Sequence, residues 1–87
     1  MSREQMINNI VADILAAANI CYEFNYISYL DELAEKYNVP ESYIEACSDE
    51  ICLRTGEHES VAAIEYVTGE QGFYVTFYMA YCPNSEE

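Results

Sequence analysis

The chain has 87 residues, of which 52% are hydrophobic, and its 16 acidic and 3 basic residues give a formal net charge of −13. A chain of this length can bury one small core, so we expect a single compact domain over residues 1–82 and a frayed acidic tail over residues 83–87. The charge argues against direct binding to nucleic acid. Nine tyrosines and three phenylalanines supply apolar surface that disordered chains lack, which predicts a folded acidic domain.

The first predicted element is a helix that starts at a capping pattern. Ser2 is followed three residues later by Gln5, and apolar residues then recur at helical spacing up to Ala18. Asp13 interrupts the apolar run, and no basic region or cleavage pattern frames it, so we predict neither a signal peptide nor a membrane span. The expected location is a reducing cytoplasm, where all four cysteines would be free thiols: Cys21, Cys47, Cys52 and Cys82.

The middle of the chain predicts two further helices. Residues 20–26 are either a short strand or an irregular link, and their aromatic and β-branched content favours the strand. Ser28 with Asp31 has the spacing of a helix start, and Asn38 and Pro40 end this second helix. The third helix is predicted to begin near Pro40 or Ser42, where Ser42 and Glu45 again have capping-box spacing, and to end over residues 54–56.

The last elements are predicted as a β-hairpin around the turn TGEQG. Its strands cover residues 60–67 and 73–82. Apolar side chains alternate onto both faces of the second strand, so this strand is expected to be central or covered on both faces. The predicted fold class is therefore α+β, with three helices followed by a C-terminal antiparallel hairpin.

This order of elements resembles a winged helix-turn-helix, and the stretch LAEKYNVPESYIEAC over residues 33–47 resembles its central motif. Ala34 is the small residue that lets two helices approach closely, and Asn38 lies at the turn position where φ is positive. The family places apolar core contacts where this chain has Val39, Ile44 and Cys47. The resemblance covers roughly residues 28–52, with residues 60–82 as the wing.

Such a fold implies DNA binding, but the charges oppose it. The outward positions of the predicted third helix are acidic, with no lysine or arginine before Arg54, and the loop TGEQG is acidic too. Phosphate contacts require cations. We instead predict a protein partner for the acidic residues of the second and third helices: Glu41, Glu45, Asp49, Glu50, Asp31, Glu32 and Glu35.

In its size, acidity and aromatic content the chain resembles the small acidic inhibitors of phages and mobile elements, anti-CRISPR proteins above all. This resemblance implies carboxylates that imitate phosphates and a basic nucleic-acid-binding protein as partner, such as a Cas effector. Two alternatives stay open. The acids could serve only solubility, or the chain could be a winged-helix adaptor or regulator that binds protein without mimicry, as a monomer or a homodimer.

The residues do not favour catalysis. His58 is the single histidine and lies in a polar loop, and no phosphate-binding or nucleophile motif occurs. We therefore predict no enzyme, no cofactor and no metal. Structural zinc held by cysteines and His58 is the less favoured alternative, because Cys47 and Cys52 are five residues apart and lack the close pairing of zinc ligands.

Overall fold

The computed structural model describes residues 2–20 and 25–78, and among the helices in these ranges none is long and apolar enough to cross a membrane. The architecture is α+β, with four helices and a three-stranded antiparallel sheet in this part of the chain. The elements in chain order are α1 Arg3–Ile20, β1 Asn25–Tyr29, α2 Leu30–Tyr37, α3 Glu41–Ala46, α4 Ser48–Gly56, β2 Val61–Val67 and β3 Gly72–Phe77.

Helix α1 begins at the predicted capping box. The Ser2 backbone N–H donates to Gln5 Oε1 over 3.2 Å, and the Gln5 N–H donates to Ser2 Oγ over 3.1 Å. Two donors that the first turn leaves without helical partners are thereby satisfied. The apolar face of α1 is buried at Met6, Ile7, Ile10, Ile14, Ala17 and Ala18.

The region before α2 differs from the prediction. Ile20 belongs to α1, the strand begins only at Asn25, and residues 21–24 lie outside the described residues. Ser28 does not cap α2, because it is a buried residue of β1, and α2 starts directly after the strand with Tyr29 at the cap position. The Leu30 backbone N–H instead donates to the Gln71 carbonyl over 2.9 Å, which anchors the start of α2 to the hairpin turn.

The end of α2 agrees with the prediction. Asn38 has φ 56° and ψ 50°, which is the left-handed conformation. The Val39 N–H reaches back to the Ala34 carbonyl over 3.1 Å, a bond of the kind that closes helices at a left-handed residue. This turn lets α3 start at Glu41, after Pro40.

The predicted third helix is in fact two helices, which corrects the count from three to four. Cys47, with φ −98° and ψ 4°, separates α3 from α4. The residues that follow, Ser48, Asp49 and Glu50, favour a helix N-terminus over a helix interior. Ile44, Cys47 and Ile51 are nevertheless all buried, so both short helices turn an apolar side towards the core.

Strand β3 is the central strand, as predicted, because the sheet order is β1-β3-β2. Its side chains Phe73, Val75 and Phe77 are buried against the helices. Burial of one such side chain contributes about 1.5–3 kcal/mol. The predicted strand continuation over residues 79–82 lies outside the described residues.

Candidate acidic surface

Two of the three basic residues are paired with acidic residues within the chain. Lys36 Nζ lies 2.8 Å from Asp13 Oδ2. Arg54 lies 2.7 Å from carboxylate oxygens of both Glu4 and Glu50, and its Nη1 also donates to Asn8 over 2.7 Å. These contacts tie α1 to α2 and α1 to α4, so these cations hold helices together and do not form a basic surface.

The carboxylate of Asp13 accepts the hydrogen bond from Lys36 between α1 and α2. Partial burial opposes its ionisation, but hydrogen bonds from Lys36 and Tyr37 outweigh that effect and hold the pKa of Asp13 below its usual value. Burial and the same carboxylate raise the pKa of Tyr37. The Tyr37 hydroxyl therefore stays protonated and donates to Asp13.

Arg54 neutralises Glu50, which was predicted to bind a partner protein. Glu50 accepts from Arg54 Nε, and its side chain is 36% exposed. The hydrogen bonds that Arg54 donates to Glu4 and then to Glu50 raise the pKa of the guanidinium, while the pKa of Glu4 is lowered mainly by its hydrogen bond from Arg54. Glu50 is therefore part of an intramolecular ion pair.

The remaining predicted residues are exposed and fall into two groups. Asp31, Glu32 and Glu35 lie on α2. The second group is Glu41 and Glu45 on α3 with Asp49 in the first turn of α4, and we call these three residues the acidic surface. The break at Cys47 means that the acidic surface is divided over two helices and is not a stripe along one.

Tyr66 on β2 borders the acidic surface. Its hydroxyl donates to Glu45 Oε2 over 3.4 Å, and its ring lies 5.1 Å from that of Phe73, measured between centroids. Burial, followed by the charges of Glu45 and Glu41, raises the pKa of the Tyr66 hydroxyl. Glu41 and Glu45 of α3 therefore lie close enough to β2 for their charges to raise the pKa of a β2 side chain.

The thiol of Cys52 lies near Asp49 of the acidic surface and near Tyr66 of β2. Burial and then the charge of Asp49 raise the pKa of this thiol, and the charge of Glu65 adds to the increase. A backbone hydrogen bond from Tyr66 lowers the same pKa. A thiol of this kind stays protonated and is a weak nucleophile. Glu65 was not among the predicted residues, although its place in the strand pattern VAAIEYV could have indicated an exposed acid on β2.

Two exposed apolar side chains lie on the helices that carry the acidic surface. Tyr43 on α3 is 40% exposed, and Leu53 on α4 is 59% exposed. Tyrosine is enriched at protein interfaces because its ring buries apolar area while its hydroxyl stays hydrogen-bonded. Tyr43 therefore presents an exposed ring on the same helix as Glu41 and Glu45.

The groups considered for chemistry have structural contacts. The Ser60 backbone N–H donates to His58 Nδ1 over 3.1 Å, and the buried Ser60 hydroxyl lies 2.7 Å from the same nitrogen. These bonds close the loop between α4 and β2. Cys47 and Cys52 are free thiols, whereas Cys21 and Cys82 lie outside the described residues.

Within residues 2–20 and 25–78, no three histidine, cysteine or acidic side chains are grouped so that they could hold a metal ion. No protein-family model, curated protein or solved structure matches the chain.

Proposed function

We propose that the chain is an acidic inhibitor that occupies the nucleic-acid-binding surface of a basic partner protein, in the manner of anti-CRISPR and other DNA-mimic proteins. The observation that carries the proposal is the division of charge. Lys36 and Arg54 pair with Asp13, Glu4 and Glu50, while the acidic surface has no salt bridge among the described residues. Its carboxylates are therefore available to cations of another molecule.

The acids are also placed where they repel one another. Glu41 and Glu45 are one helical turn apart on α3, and Asp31 and Glu35 have the same spacing on α2. Like charges at this spacing destabilise a helix by about 0.2–0.5 kcal/mol per pair. Solubility alone would need negative charge but not this clustering, so the clustering supports a role in binding.

A mimic of nucleic acid needs contact area as well as charge. Tyr43 supplies an exposed ring on the same helix as Glu41 and Glu45. A partner arginine can pair with a carboxylate and pack its planar group on a tyrosine ring. Basic channels that bind nucleic acid are rich in arginine and lysine, so they provide the chemistry that this surface requires.

The test uses two double variants of equal charge. Glu41→Lys with Glu45→Lys reverses the part of the acidic surface on α3, and Glu57→Lys with Glu59→Lys reverses two exposed acids in the loop after α4. Each variant changes the net charge by four units, since each of two substitutions changes it by two. Any difference in affinity between the two variants therefore depends on the location of the reversed charges and not on their number.

Binding is measured against a panel of purified nucleic-acid-binding proteins with basic channels, Cas effectors among them, with and without competing DNA or RNA. We expect nucleic acid to displace the wild-type chain, the α3 variant to lose at least about tenfold in affinity, and the loop variant to lose about threefold or less. Circular dichroism tests whether both variants are folded. Equal losses in both variants, or no loss in the α3 variant, would contradict the proposal.

A second candidate function is a winged-helix adaptor that binds protein without mimicry. The element order with sheet order β1-β3-β2, and the left-handed Asn38 between α2 and α3, support a likeness to the winged helix-turn-helix. In that likeness α3 and α4 together take the place of the recognition helix, and their break and charge suit protein better than a DNA groove. A partner whose binding to the chain is unchanged by competing nucleic acid would favour the adaptor function.

A further inference from the structure

The sheet has two edges, and their backbone groups are used differently. The pairing of the β2 edge with β3 is interrupted by a bulge between Val61 and Ala63. Helix α4 packs against this strand, and Cys52 of the helix accepts a hydrogen bond from the Tyr66 backbone. Bulges and covering helices both prevent further strands from adding to a sheet. Strand β1, at the other edge, has no bulge in its pairing and no proline or charged residue in its sequence NYISY.

The direction of the β1 backbone groups follows from the pairing register. Hydrogen-bonded and non-hydrogen-bonded residue pairs alternate along two antiparallel strands. The Leu30 N–H donates to the Gln71 carbonyl, and this bond continues the register in which Tyr29 lies opposite Gly72. The backbone groups of every second residue before Leu30 therefore bond to β3, and those of the residues between them point away from it. The first set is Tyr26 and Ser28, and the second set is Asn25, Ile27 and Tyr29.

The outward backbone groups of β1 have no hydrogen-bond partner among the described residues, apart from the Tyr29 carbonyl. Tyr29 is the N-cap of α2, so its carbonyl belongs to the first turn of that helix. We call the remaining groups the open edge: the N–H groups of Asn25, Ile27 and Tyr29 and the carbonyls of Asn25 and Ile27. They recur every second residue, about 7 Å apart along the strand. The backbone of another extended chain has the same spacing, so the open edge fits an added strand.

The charge near the open edge selects the kind of segment. Asp31 and Glu32 follow β1 directly, are exposed, and have no salt bridge among the described residues. Glu70 of the hairpin turn accepts a hydrogen bond from Tyr74, which lies opposite Ile27 in the sheet. A second copy of the chain would bring another net charge of −13 towards these acids and is repelled. Lysine and arginine side chains are attracted.

We propose that the open edge binds an extended segment of a partner protein that carries lysine or arginine, and that this segment adds to the sheet beside β1. Backbone hydrogen bonds hold the segment, and its basic side chains contact the nearby acids. The half-buried Ile27 side chain offers an apolar contact to the residue opposite it. This inference is independent of the proposed function, because the acidic surface lies on α3 and α4 and acts through charge.

The first experiment measures amide hydrogen exchange of the free chain by nuclear magnetic resonance. The Ile27 N–H points away from the sheet, whereas the N–H groups of Tyr26 and Ser28 bond to β3. After correction for intrinsic rates, we expect Ile27 to exchange at least about tenfold faster than these two neighbours. Equal protection of all three would mean that the Ile27 N–H already has a partner, and the proposal would be wrong.

The second experiment adds a synthetic probe, a nine-residue peptide with capped ends in which lysine and valine alternate. One matched peptide keeps the charge but has methyl groups on the backbone nitrogens of its central residues, and another has glutamate in place of lysine. We expect the lysine–valine peptide to slow exchange of the Ile27 N–H at least about tenfold at saturation. The methylated peptide is expected to bind at least about tenfold more weakly, because its central residues cannot donate backbone hydrogen bonds. The glutamate peptide is expected not to bind.

Two results with these peptides would refute strand addition. In the first, the lysine–valine peptide leaves exchange of the Ile27 N–H unchanged. In the second, the methylated peptide binds as tightly as the unmodified one, which would show that charge alone causes the association.

A pair of variants then tests the central N–H of the open edge. Ile27→Pro removes this donor, and proline is tolerated on edge strands where the N–H faces solvent. Ile27→Val keeps the donor and is the matched control. We expect Ile27→Pro to weaken binding of the lysine–valine peptide at least about tenfold, and Ile27→Val about twofold or less. Circular dichroism tests whether both are folded, and the peptide comparison uses the wild-type chain and needs neither. A folded Ile27→Pro variant that binds like the wild type would overturn the proposal.

The charge-reversal variants of the acidic surface separate this inference from the proposed function. Glu41→Lys with Glu45→Lys lies outside the open edge, as does the loop variant Glu57→Lys with Glu59→Lys. Both weaken general attraction to a basic peptide equally, because they change the net charge by the same amount. We therefore expect the two variants to bind the lysine–valine peptide within about twofold of each other. A clearly larger loss in the α3 variant would place the peptide on the acidic surface and would contradict binding at β1.

Discussion

Thr55 on α4 offers a sharp test of the packing between the helices and the sheet. Its side chain is 0% exposed, and its hydroxyl oxygen has no hydrogen-bond partner among the described residues. Replacement by valine exchanges this hydroxyl for a methyl group and keeps the branched shape. Threonine and valine have similar helix propensities, so the substitution reports mainly on the buried hydroxyl.

The magnitude follows from the cost of the buried group. A hydroxyl buried without a partner costs about 1–3 kcal/mol in mutational data. We expect Thr55→Val to raise the free energy of unfolding by about 1 kcal/mol, at the low end because the new methyl group must fit a packed site. For a domain of this size that gain corresponds to an increase in Tm of about 4–8 °C.

Urea unfolding followed by circular dichroism measures the change, with Thr55→Ser as the matched control. Serine keeps the hydroxyl and loses the methyl group, so the control is expected to lose about 1 kcal/mol. If valine instead destabilises the chain by a similar amount, the hydroxyl has a partner, and the described packing around α4 is incorrect.

Further predictions concern the α2 turn, acid stability, metal and DNA. Asn38→Ala is expected to cost about 1 kcal/mol, because alanine tolerates the left-handed conformation poorly, whereas Asn38→Gly stays near the wild type in urea unfolding; equal losses would contradict this. The pKa of Asp13 is lowered in the folded chain, so its contribution to stability is present above its ordinary value of 3.8 and is lost as the pH falls further. Asp13→Asn should therefore flatten the acid limb of a pH–stability curve, and an unchanged limb would refute the assignment. Chelators are expected to leave Tm unchanged in thermal scans, and stoichiometric zinc release with a falling Tm would revive the cysteine site. The chain is expected not to shift labelled duplex DNA at physiological salt, and a salt-sensitive shift would oppose the proposed function.

The parts of the fold that could be predicted were those set by local chemistry. The Ser2 and Gln5 cap depends on two side chains within one turn, and the left-handed Asn38 depends on one residue and its neighbours. In both cases a short stretch of sequence contains the physical cause. Strand β3 was expected to be central or covered on both faces, and it is central, but only Phe73, Val75 and Phe77 of this strand belong to the hydrophobic core.

The features that were missed depend on competition between neighbouring elements. The helical periodicity of Ile44, Cys47 and Ile51 continues through the break at Cys47, so spacing alone could not reveal two helices. The start signal at Ser28 was overridden because β1 pairs with β3, and Ser28 lies opposite Phe73 in that pairing.

The candidate site was predictable in composition but not in detail. That Glu41, Glu45 and Asp49 are exposed followed from their polarity. The pairing of Glu50 with Arg54 could have been suggested by their spacing of four residues, but the second partner of Arg54, Glu4, lies on α1 and could not be inferred from local sequence.

The central position of β3 has a consequence for the order of folding. Strand β1 pairs only with β3 in this sheet, and the contact between Thr76 and Asn25 spans 51 residues. Closing a flexible loop of that length costs about 3.5 kcal/mol from the length-dependent part of the entropy alone. During synthesis β1 must wait, without a strand partner, until the last strand has been made. The helix pairs and the local β2–β3 hairpin can form early, and the docking of β1 onto that hairpin is then the step expected to limit the rate at which the chain folds.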